Sequence, residues 1–330
     1  MSNTTPVLSE ALRKASKEVM RLSEAGNTPL DELAERICLL LRVAALTSAD
    51  PPGTVTQIRD QLRPFIPQMC ILEAIAGRVL YILNESFSDS IEHDLDALLD
   101  EVREAKNELV EQTSAMFSGG DSIMMLGNDE GTVLEAALRD AAEALSDDPI
   151  AIGNPIRVAI VQVAPDHEGK ARATYGRLKN VSGLKTRLIR DSHITSELRR
   201  CTKVILRAIA MDVDDGCLCF SGSGIITAAA NRMRIPVVLV MARHRIVPVG
   251  NASVAIMSQQ TGSPGKVWCY EEARDDRKHD AISVHSSIYD LVPLQKCEMV
   301  VTEFGGYSAD YVKTFAAAVT LDNSNTSSPR

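Results

Sequence analysis

A short run of small residues, Ser221-Gly222-Ser223-Gly224, has the residue types and spacing of a turn whose backbone N–H groups could bind an anion. It precedes an Ala-rich segment, residues 225–233, that is typical of a helix, and an apolar segment, 235–240, that is typical of a buried strand. Backbone N–H groups at the start of such a helix can bind an anion. The alternative is that the small residues only allow close packing, which is the commoner use of the pattern. The run therefore predicts a βαβ unit with a candidate anion site, but it does not by itself establish a function.

Other polar residues follow predicted strands, where an α/β enzyme would carry catalytic groups. His167 follows one such strand, and Asp191 with His193 follows the next. A polar turn residue at such a place is more often simply solvated. Three aspartates share a predicted loop and offer either a cation site or a solvated turn: Asp212, Asp214 and Asp215. The sequence contains no nucleophile-elbow, Walker A or dinucleotide-binding glycine pattern.

The composition argues against several classes of protein. With 45% hydrophobic and 24% charged residues among 330, the chain has a globular composition. A net charge of −9 and an aromatic content of 4% argue against a nucleic-acid-binding surface. Of the seven cysteines, Cys217 and Cys219 lie two apart in a predicted strand, so we expect two small buried side chains and not a metal site. Because no apolar run has signal-peptide or membrane-spanning length, we expect a cytoplasmic protein without a cofactor, a metal or a membrane contact.

The periodicity of apolar residues divides the chain into three parts. Residues 1–118 show only helical patterns and end in a long helix predicted over 93–117, so we expect an all-helical N-terminal domain. Over residues 119–320 strands alternate with helices. This pattern predicts a Rossmann-like α/β domain with a doubly wound parallel sheet and a ligand crevice at the carboxyl ends of its strands. Residues 321–330 are polar and are expected to form a disordered tail.

This order of parts resembles the regulatory subunits alpha, beta and delta of eukaryotic translation initiation factor 2B. The same family contains methylthioribose-1-phosphate isomerase and ribose-1,5-bisphosphate isomerase. The resemblance covers about residues 31–319 and is carried by Ser122-Ile123-Met124-Met125-Leu126-Gly127, Asp215-Gly216 and Phe220-Ser221-Gly222-Ser223. These segments are similar to the family's first core strand with its glycine, its Asn-Gly turn and its small-residue run. The resemblance implies a vestigial anion pocket formed by Gly127, Asn128, Gly216, Ser221, Gly222 and Ser223.

Three segments resemble the beta branch of this family in particular. They are Val163-Ala164-Pro165, Tyr289-Asp290-Leu291-Val292-Pro293 and the double glycine Gly305-Gly306. The resemblance implies a non-catalytic regulatory subunit of a guanine-nucleotide exchange complex, in which epsilon-like and gamma-like subunits carry the exchange. The implied partners are those subunits, delta-like and alpha-like subunits, and the alpha subunit of initiation factor 2, whose phosphorylation inhibits exchange.

A sugar-phosphate isomerase is the alternative function on the same fold. The resemblance implies that the family's isomerases carry a cysteine after the first core strand and an aspartate after a later one, both for proton transfer. The matching places in this chain hold Gly127 and Ile209. Neither side chain can move a proton. The resemblance therefore favours a protein that is not an enzyme.

Two surfaces are candidates for binding partners. Four glutamates share a face of the predicted long helix, and the resemblance turns that face toward the alpha subunit of initiation factor 2: Glu101, Glu104, Glu108 and Glu111. The alternative for this face is a solvated surface. A subunit interface is predicted where two glycines precede apolar residues at helical spacing: Gly305, Gly306, Val312 and Phe315. The alternative here is a helix that only covers its own sheet.

Overall fold

The computed structural model of the chain describes residues 10–24, 29–64, 69–127, 133–146, 153–163, 169–247, 251–263, 265, 267, 284–312 and 314. Among these residues, five helices precede the first strand, and strands then alternate with helices. The helices are α1 (Glu10–Glu24), α2 (Leu30–Thr47), α3 (Pro51–Leu62), α4 (Met69–Glu85), α5 (Ile91–Ser114), α6 (Val133–Ser146), α7 (Lys170–Leu178), α8 (Ile194–Leu198), α9 (Ser223–Arg232) and α10 (Ser253–Ser258). The strands are β1 (Ser122–Leu126), β2 (Ile156–Gln162), β3 (Leu184–Arg190), β4 (Lys203–Asp212), β5 (Gly216–Phe220), β6 (Val237–Val240), β7 (Tyr289–Val292), β8 (Met299–Thr302) and β9 (Gly305–Tyr307).

A pair of prolines at residues 51 and 52 begins α3. Asp50 is the N-cap of this helix, and its side chain accepts a hydrogen bond of 3.2 Å from the backbone N–H of Gly53. Pro51 occupies the first helical position, where a missing N–H costs no hydrogen bond. The sequence pattern places this helix over residues 55–65, which is wrong because the pattern treats the prolines only as a break.

The described strands form one nine-stranded sheet of order β3-β2-β1-β4-β6-β8-β9, with β5 and β7 off this path. The pairs from β3 to β8 are parallel, which confirms a Rossmann-like α/β region after the helices. The margins of the sheet also contain antiparallel pairs, which the pattern of strands and helices does not predict. There β9 returns antiparallel along β8, and β5 lies antiparallel between β4 and β7. The carboxyl ends of β1, β4 and β6 still meet at one edge, where ligands bind in folds of this type.

Strand β4 is longer than its apolar pattern predicts, because its last residues form a hairpin with β5. Its register pairs Asp212 with Gly216. The Asp212 carboxylate accepts hydrogen bonds from the backbone N–H groups of Asp214 at 2.8 Å and Asp215 at 3.2 Å, so these aspartates shape the turn. In β5 the side chains of Cys217 and Cys219 are fully buried, as predicted.

The hydrophobic packing is continuous between the N-terminal helices and the sheet. Leu95 of α5 lies in a cluster that includes Ile209 of β4 and Leu218 of β5, while Leu109 of the same helix packs with Met125 of β1 in another. The division of the chain at residue 118 therefore stays a prediction. The tail predicted at 321–330 lies outside the described residues. None of the helices in the described ranges combines the length and the hydropathy needed to cross a bilayer.

Candidate functional site

The predicted anion cradle forms, but the chain's own carboxylate occupies it. Helix α9 begins at Ser223, and its N-cap Gly222 has a left-handed backbone conformation. The backbone N–H groups of Gly222 and Gly224 donate hydrogen bonds of 2.8 and 2.9 Å to the same carboxylate oxygen of Asp290. Asp290 lies in β7 and is held opposite Cys219 of β5 by the strand register. A carboxylate at a helix N-terminus satisfies both the unpaired N–H groups and the helix dipole. The side chain of Asp290 thus takes the place of an external anion.

The glycines of the predicted pocket serve close packing. A Cβ atom on Gly127 would lie 2.5 Å from the Cβ of Ala171 in α7, and one on Gly222 would lie 2.4 Å from the Val163 side chain. Gly216 has a φ of +117° and lies against the carbonyl of Val292. Of the two serines, Ser221 donates its N–H to Ile288 at 2.9 Å, and Ser223 is buried. Asn128 lies outside the described residues.

A buried ion cluster lies near the carboxyl ends of β4 and β6. Arg207 of β4 and Arg245, which lies in the loop after β6, both bind the Asp31 carboxylate at the start of α2. The Arg207–Asp31 contact is 3.1 Å, and the side chain of Arg245 is 1% exposed. Burial alone would raise the pKa of Asp31, but the guanidinium groups of Arg245 and Arg207 outweigh it and hold that pKa well below its usual range. The charges of Arg207 and Arg245 are therefore paired with a carboxylate of α2.

Glu101 of α5 forms a second ion cluster beside the first. Its carboxylate binds Arg78 of α4 in a bidentate pair of 2.6 and 2.8 Å, and it also binds Arg243 in the loop after β6. Burial opposes ionisation of Glu101, but hydrogen bonds from Arg78 and Arg243 lower its pKa to about 2. The sequence placed Glu101 with Glu104, Glu108 and Glu111 on one solvated or partner-facing side of the helix. The structure leaves the other three exposed and turns Glu101 inward.

Between these clusters lies His244, which is 1% exposed. Burial, together with the neighbouring charge of Arg245, lowers the pKa of His244 to about 3, so its ring is neutral at physiological pH. Neither ring nitrogen has a hydrogen-bond partner among the described residues. The loop 243–245 therefore binds α5 through Arg243 and α2 through Arg245, with His244 buried between them.

The sequence patterns gave no site role to Asp31, Arg207 or the side chains of the loop 243–245. Two signals were available. One is Arg207 within the otherwise apolar run of β4, since a charge in a buried strand requires a partner. The other is the Arg-His-Arg sequence directly after β6. Neither signal identifies Asp31 or Glu101, because both carboxylates come from the N-terminal helices.

Comparison with known proteins identifies the family. The sequence model of the initiation factor 2 subunit family matches residues 12–309. The chain belongs to this family. It is similar to translation initiation factor eIF2B subunit beta of Dictyostelium discoideum, with 25% identity over 68% of this chain and 53% of that protein. The chain thus spans about half the length of this relative.

Solved structures show the same fold. The tetrameric eIF2B-beta2-delta2 complex from C. thermophilum contains a chain that matches with a TM-score of 0.69 and 18% identity, over 95% of this chain and 99% of that one. The 5-methylthioribose 1-phosphate isomerase from Pyrococcus horikoshii matches with a TM-score of 0.58 and 14% identity, over 93% and 88%. At these identities the likeness establishes the fold alone. Both of these structures therefore share the fold of this chain.

The two places that the resemblance assigns to isomerase chemistry are closed. Gly127 packs against α7. A side chain at this position would collide with Ala171, whose Cα would lie 2.6 Å from the added Cβ. Ile209 is 1% exposed and belongs to the core between β4 and the N-terminal helices. His193 is exposed, and His167 lies outside the described residues. The described acid–base candidates are Asp191, His193 and Asp212. No hydrogen bond described above joins any of them to Gly127 or Ile209.

The predicted subunit interface divides into buried and exposed parts. Val312 is 2% exposed and packs into the chain's own core, which favours the alternative that this segment covers its sheet. Gly305 and Gly306 form β9, and a Cβ on Gly306 would lie 2.4 Å from the sulfur of Met299, so the glycines allow a tight hairpin. Phe315 lies outside the described residues. The side chain of Tyr311, in the same segment, is exposed.

Proposed function

We propose that this chain is a beta-like, non-catalytic regulatory subunit of initiation factor 2B. The observation that carries the proposal is that carboxylates of the chain itself bind cationic and N–H groups: Asp31 binds Arg207, Glu101 binds Arg243, and Asp290 binds the backbone N–H of Gly222. The chain binds delta-like, alpha-like, gamma-like and epsilon-like subunits, contacts the alpha subunit of initiation factor 2 and couples its phosphorylation to exchange. This role belongs to the cytoplasm and requires neither a cofactor nor direct contact with nucleic acid.

Exposed aromatic side chains near β9 support a contact with a delta-like subunit. The rings of Tyr307 and Tyr311 stack with their centroids 5.1 Å apart, and Tyr311 is 56% exposed. Phe304, in the turn between β8 and β9, is 52% exposed, and Arg243 lies over its ring at 4.7 Å. Aromatic residues are enriched at the centres of protein interfaces because they bury much apolar area. The proposed interface therefore centres on Phe304 and Tyr311.

The outer face of α5 supports contact with the alpha subunit of initiation factor 2. Glu104, Glu108 and Glu111 are exposed along one side of the helix. The buried side of α5, which includes Leu98, Val102 and Leu109, anchors the helix against the core. A rigid row of like charges steers a basic partner and selects against acidic ones. We assign docking to these three glutamates without Glu101.

Reconstitution tests the proposal. The chain is expected to co-elute with a delta-like subunit, and Tyr311→Asp is expected to prevent this while the chain stays folded. Phe87→Asp is the matched control, because Phe87 is a still more exposed aromatic residue, at 86%, in the loop before α5. Co-elution unaffected by Tyr311→Asp would contradict the interface. Isomerisation of methylthioribose 1-phosphate by the purified chain, on the order of once per second or faster, would contradict the non-catalytic assignment.

A further inference from the structure

One face of the sheet carries a basic cluster at the amino ends of β2 and β3. The strand register places Arg157 of β2 opposite Lys185 of β3, and Ala159 opposite Arg187. Residues two apart on a strand share a face, so the three cations point to the same side of the sheet. All three are exposed, and exposed Arg200 from the loop after α8 borders the same groove. We call these four residues, Arg157, Lys185, Arg187 and Arg200, the basic face.

The basic face lies where a doubly wound sheet would ordinarily carry a helix. Parallel sheets are normally covered on both faces. Here α7 packs on the opposite face, where Ala171 and Leu178 contact Val158 and Ile160 in one cluster. Over the basic face the short helix α8 packs Ile194 and Leu198 near Val161, toward the other end of β2. Among the described residues, the amino ends of β2 and β3 are left with an open groove of about 230 Å³.

The groove is predominantly positively charged. Among the described residues, its lining includes four cations and one carboxylate, Glu197, which pairs with Arg187 at 3.3 Å. The chain as a whole carries a net charge of −9, so the basic face opposes the overall charge. Basic residues on an edge strand also protect against edge-to-edge aggregation, and this explains Lys185 and Arg187 on β3. It does not explain Arg157, which lies on β2 between two paired strands, or Arg200, which lies in a loop.

We propose that the basic face docks a carboxylate-rich segment of a protein partner, which covers the sheet where the chain's own helix is short. Guanidinium groups bind carboxylates in bidentate geometry, and three of the four cations are arginines. A protein segment fits better than nucleic acid, because none of the described residues that line the groove has an aromatic side chain on which a base could stack. The inference stands on the basic face alone and does not depend on the proposed function.

Binding of a helical Glu/Ala peptide to the full-length chain, followed by fluorescence anisotropy, tests the proposal, with a Gln/Ala peptide as the uncharged probe. We expect the glutamate peptide to bind and the glutamine peptide to bind at least roughly tenfold more weakly, with an affinity that falls as salt is raised. The variant Arg157→Glu with Lys185→Glu should lose the glutamate peptide and gain a matching Lys/Ala peptide. The control is Arg172→Glu with Lys179→Glu, which makes the same charge change at exposed positions in α7 and directly after it, on the other face. This control should bind as the unaltered chain does.

Several results would overturn the proposal. They are no binding of the glutamate peptide, equal losses in the two double variants, and tighter binding of single-stranded RNA than of the peptide at the same face. If the double variant fails to fold, Lys185→Glu alone repeats the measurement, because Lys185 is exposed on the edge strand and its replacement leaves the core intact. Unchanged peptide affinity in that folded single variant, with its affinity for the lysine peptide also unchanged, would likewise reject the basic face.

Discussion

The Asp290 carboxylate accepts a hydrogen bond of 2.8 Å from the backbone N–H of Gly222 and so caps α9 from a distant strand. The same oxygen accepts from Gly224 at 2.9 Å. The two glycines lie 68 and 66 residues before Asp290 in the sequence. The N–H groups of this small-residue turn therefore bind a carboxylate of the chain itself. The presence of the motif does not by itself show that the protein binds an anionic ligand.

Replacing Asp290 should expose this cradle. We expect Asp290→Ala to lower the free energy of unfolding by about 2 kcal/mol, because it removes a charged acceptor from two N–H groups at a helix N-terminus. Asp290→Asn keeps an acceptor oxygen and should cost less. Sulfate should restore part of the stability of the alanine variant, measured by denaturant unfolding with and without the salt. Asp140→Ala, at an exposed position of α6, is the control. An equal response to sulfate in both alanine variants would show that the cradle is not involved.

Restoring the isomerase residue at Gly127 should damage the fold without creating activity. In Gly127→Cys the new Cβ would lie 2.5 Å from that of Ala171, and overpacking of this kind costs about 1–3 kcal/mol. Gly176→Cys on α7 is the matched control, because its Cβ meets no atom within 4 Å. Adding Ala171→Gly should recover part of the lost stability, measured as a double-mutant cycle. Turnover of ribose 1,5-bisphosphate by the cysteine variant would contradict the closed-site interpretation.

Local periodicity predicts those features that depend on neighbours in sequence. The strand predicted at residues 299–302 is β8, with the same bounds, and the two-residue spacing of Cys217 and Cys219 correctly predicts their shared burial. In each case the information lies within one element, whose pattern of apolar residues reports which face is buried.

The same reasoning fails where elements distant in sequence determine the partners of a side chain. Glu101 has the same helical spacing as Glu104 and Glu108, yet it pairs with Arg78 and Arg243, which lie 23 and 142 residues away. Spacing along a helix shows which side chains share a side but not what packs against it. Asp290 illustrates the same limit, because β7 reaches α9 only through the antiparallel pairing of β5 that a parallel-sheet reading omits. The partners of Glu101 and Asp290 therefore could not be predicted from sequence patterns.

The buried ring of His244 should make the stability of the fold pH-dependent. Its pKa is about 3 in the folded chain against an ordinary value of 6.5, so below about pH 6.5 the unfolded chain gains a proton that the folded chain does not. The free energy of unfolding should therefore fall as pH decreases from 6.5 toward 3. In His244→Phe the slope should be smaller by up to about 1.4 kcal/mol per pH unit.

Denaturant unfolding between about pH 6.5 and 5 measures this slope before Asp31 and Glu101 begin to titrate in the unfolded chain. The control is His193→Phe, which makes the same replacement at an exposed histidine. Equal slopes in His244→Phe and the unaltered chain would show that His244 titrates alike in both states.

Charge reversal on the outer face of α5 should weaken docking of the alpha subunit of initiation factor 2. In the reconstituted complex, Glu104→Lys with Glu108→Lys is expected to lower affinity by roughly tenfold at low salt and by less at moderate salt, because surface charges act through steering that salt screens. Asp140→Lys with Glu298→Lys makes the same change in net charge at other exposed positions and should bind normally. Glu101→Lys should instead destabilise the chain, since it would place a cation between Arg78 and Arg243. The measurement is the dissociation constant for the unphosphorylated factor at both salts. Equal affinities for the two double variants would contradict a docking role and would show that Glu104 and Glu108 are ordinary solvated surface residues.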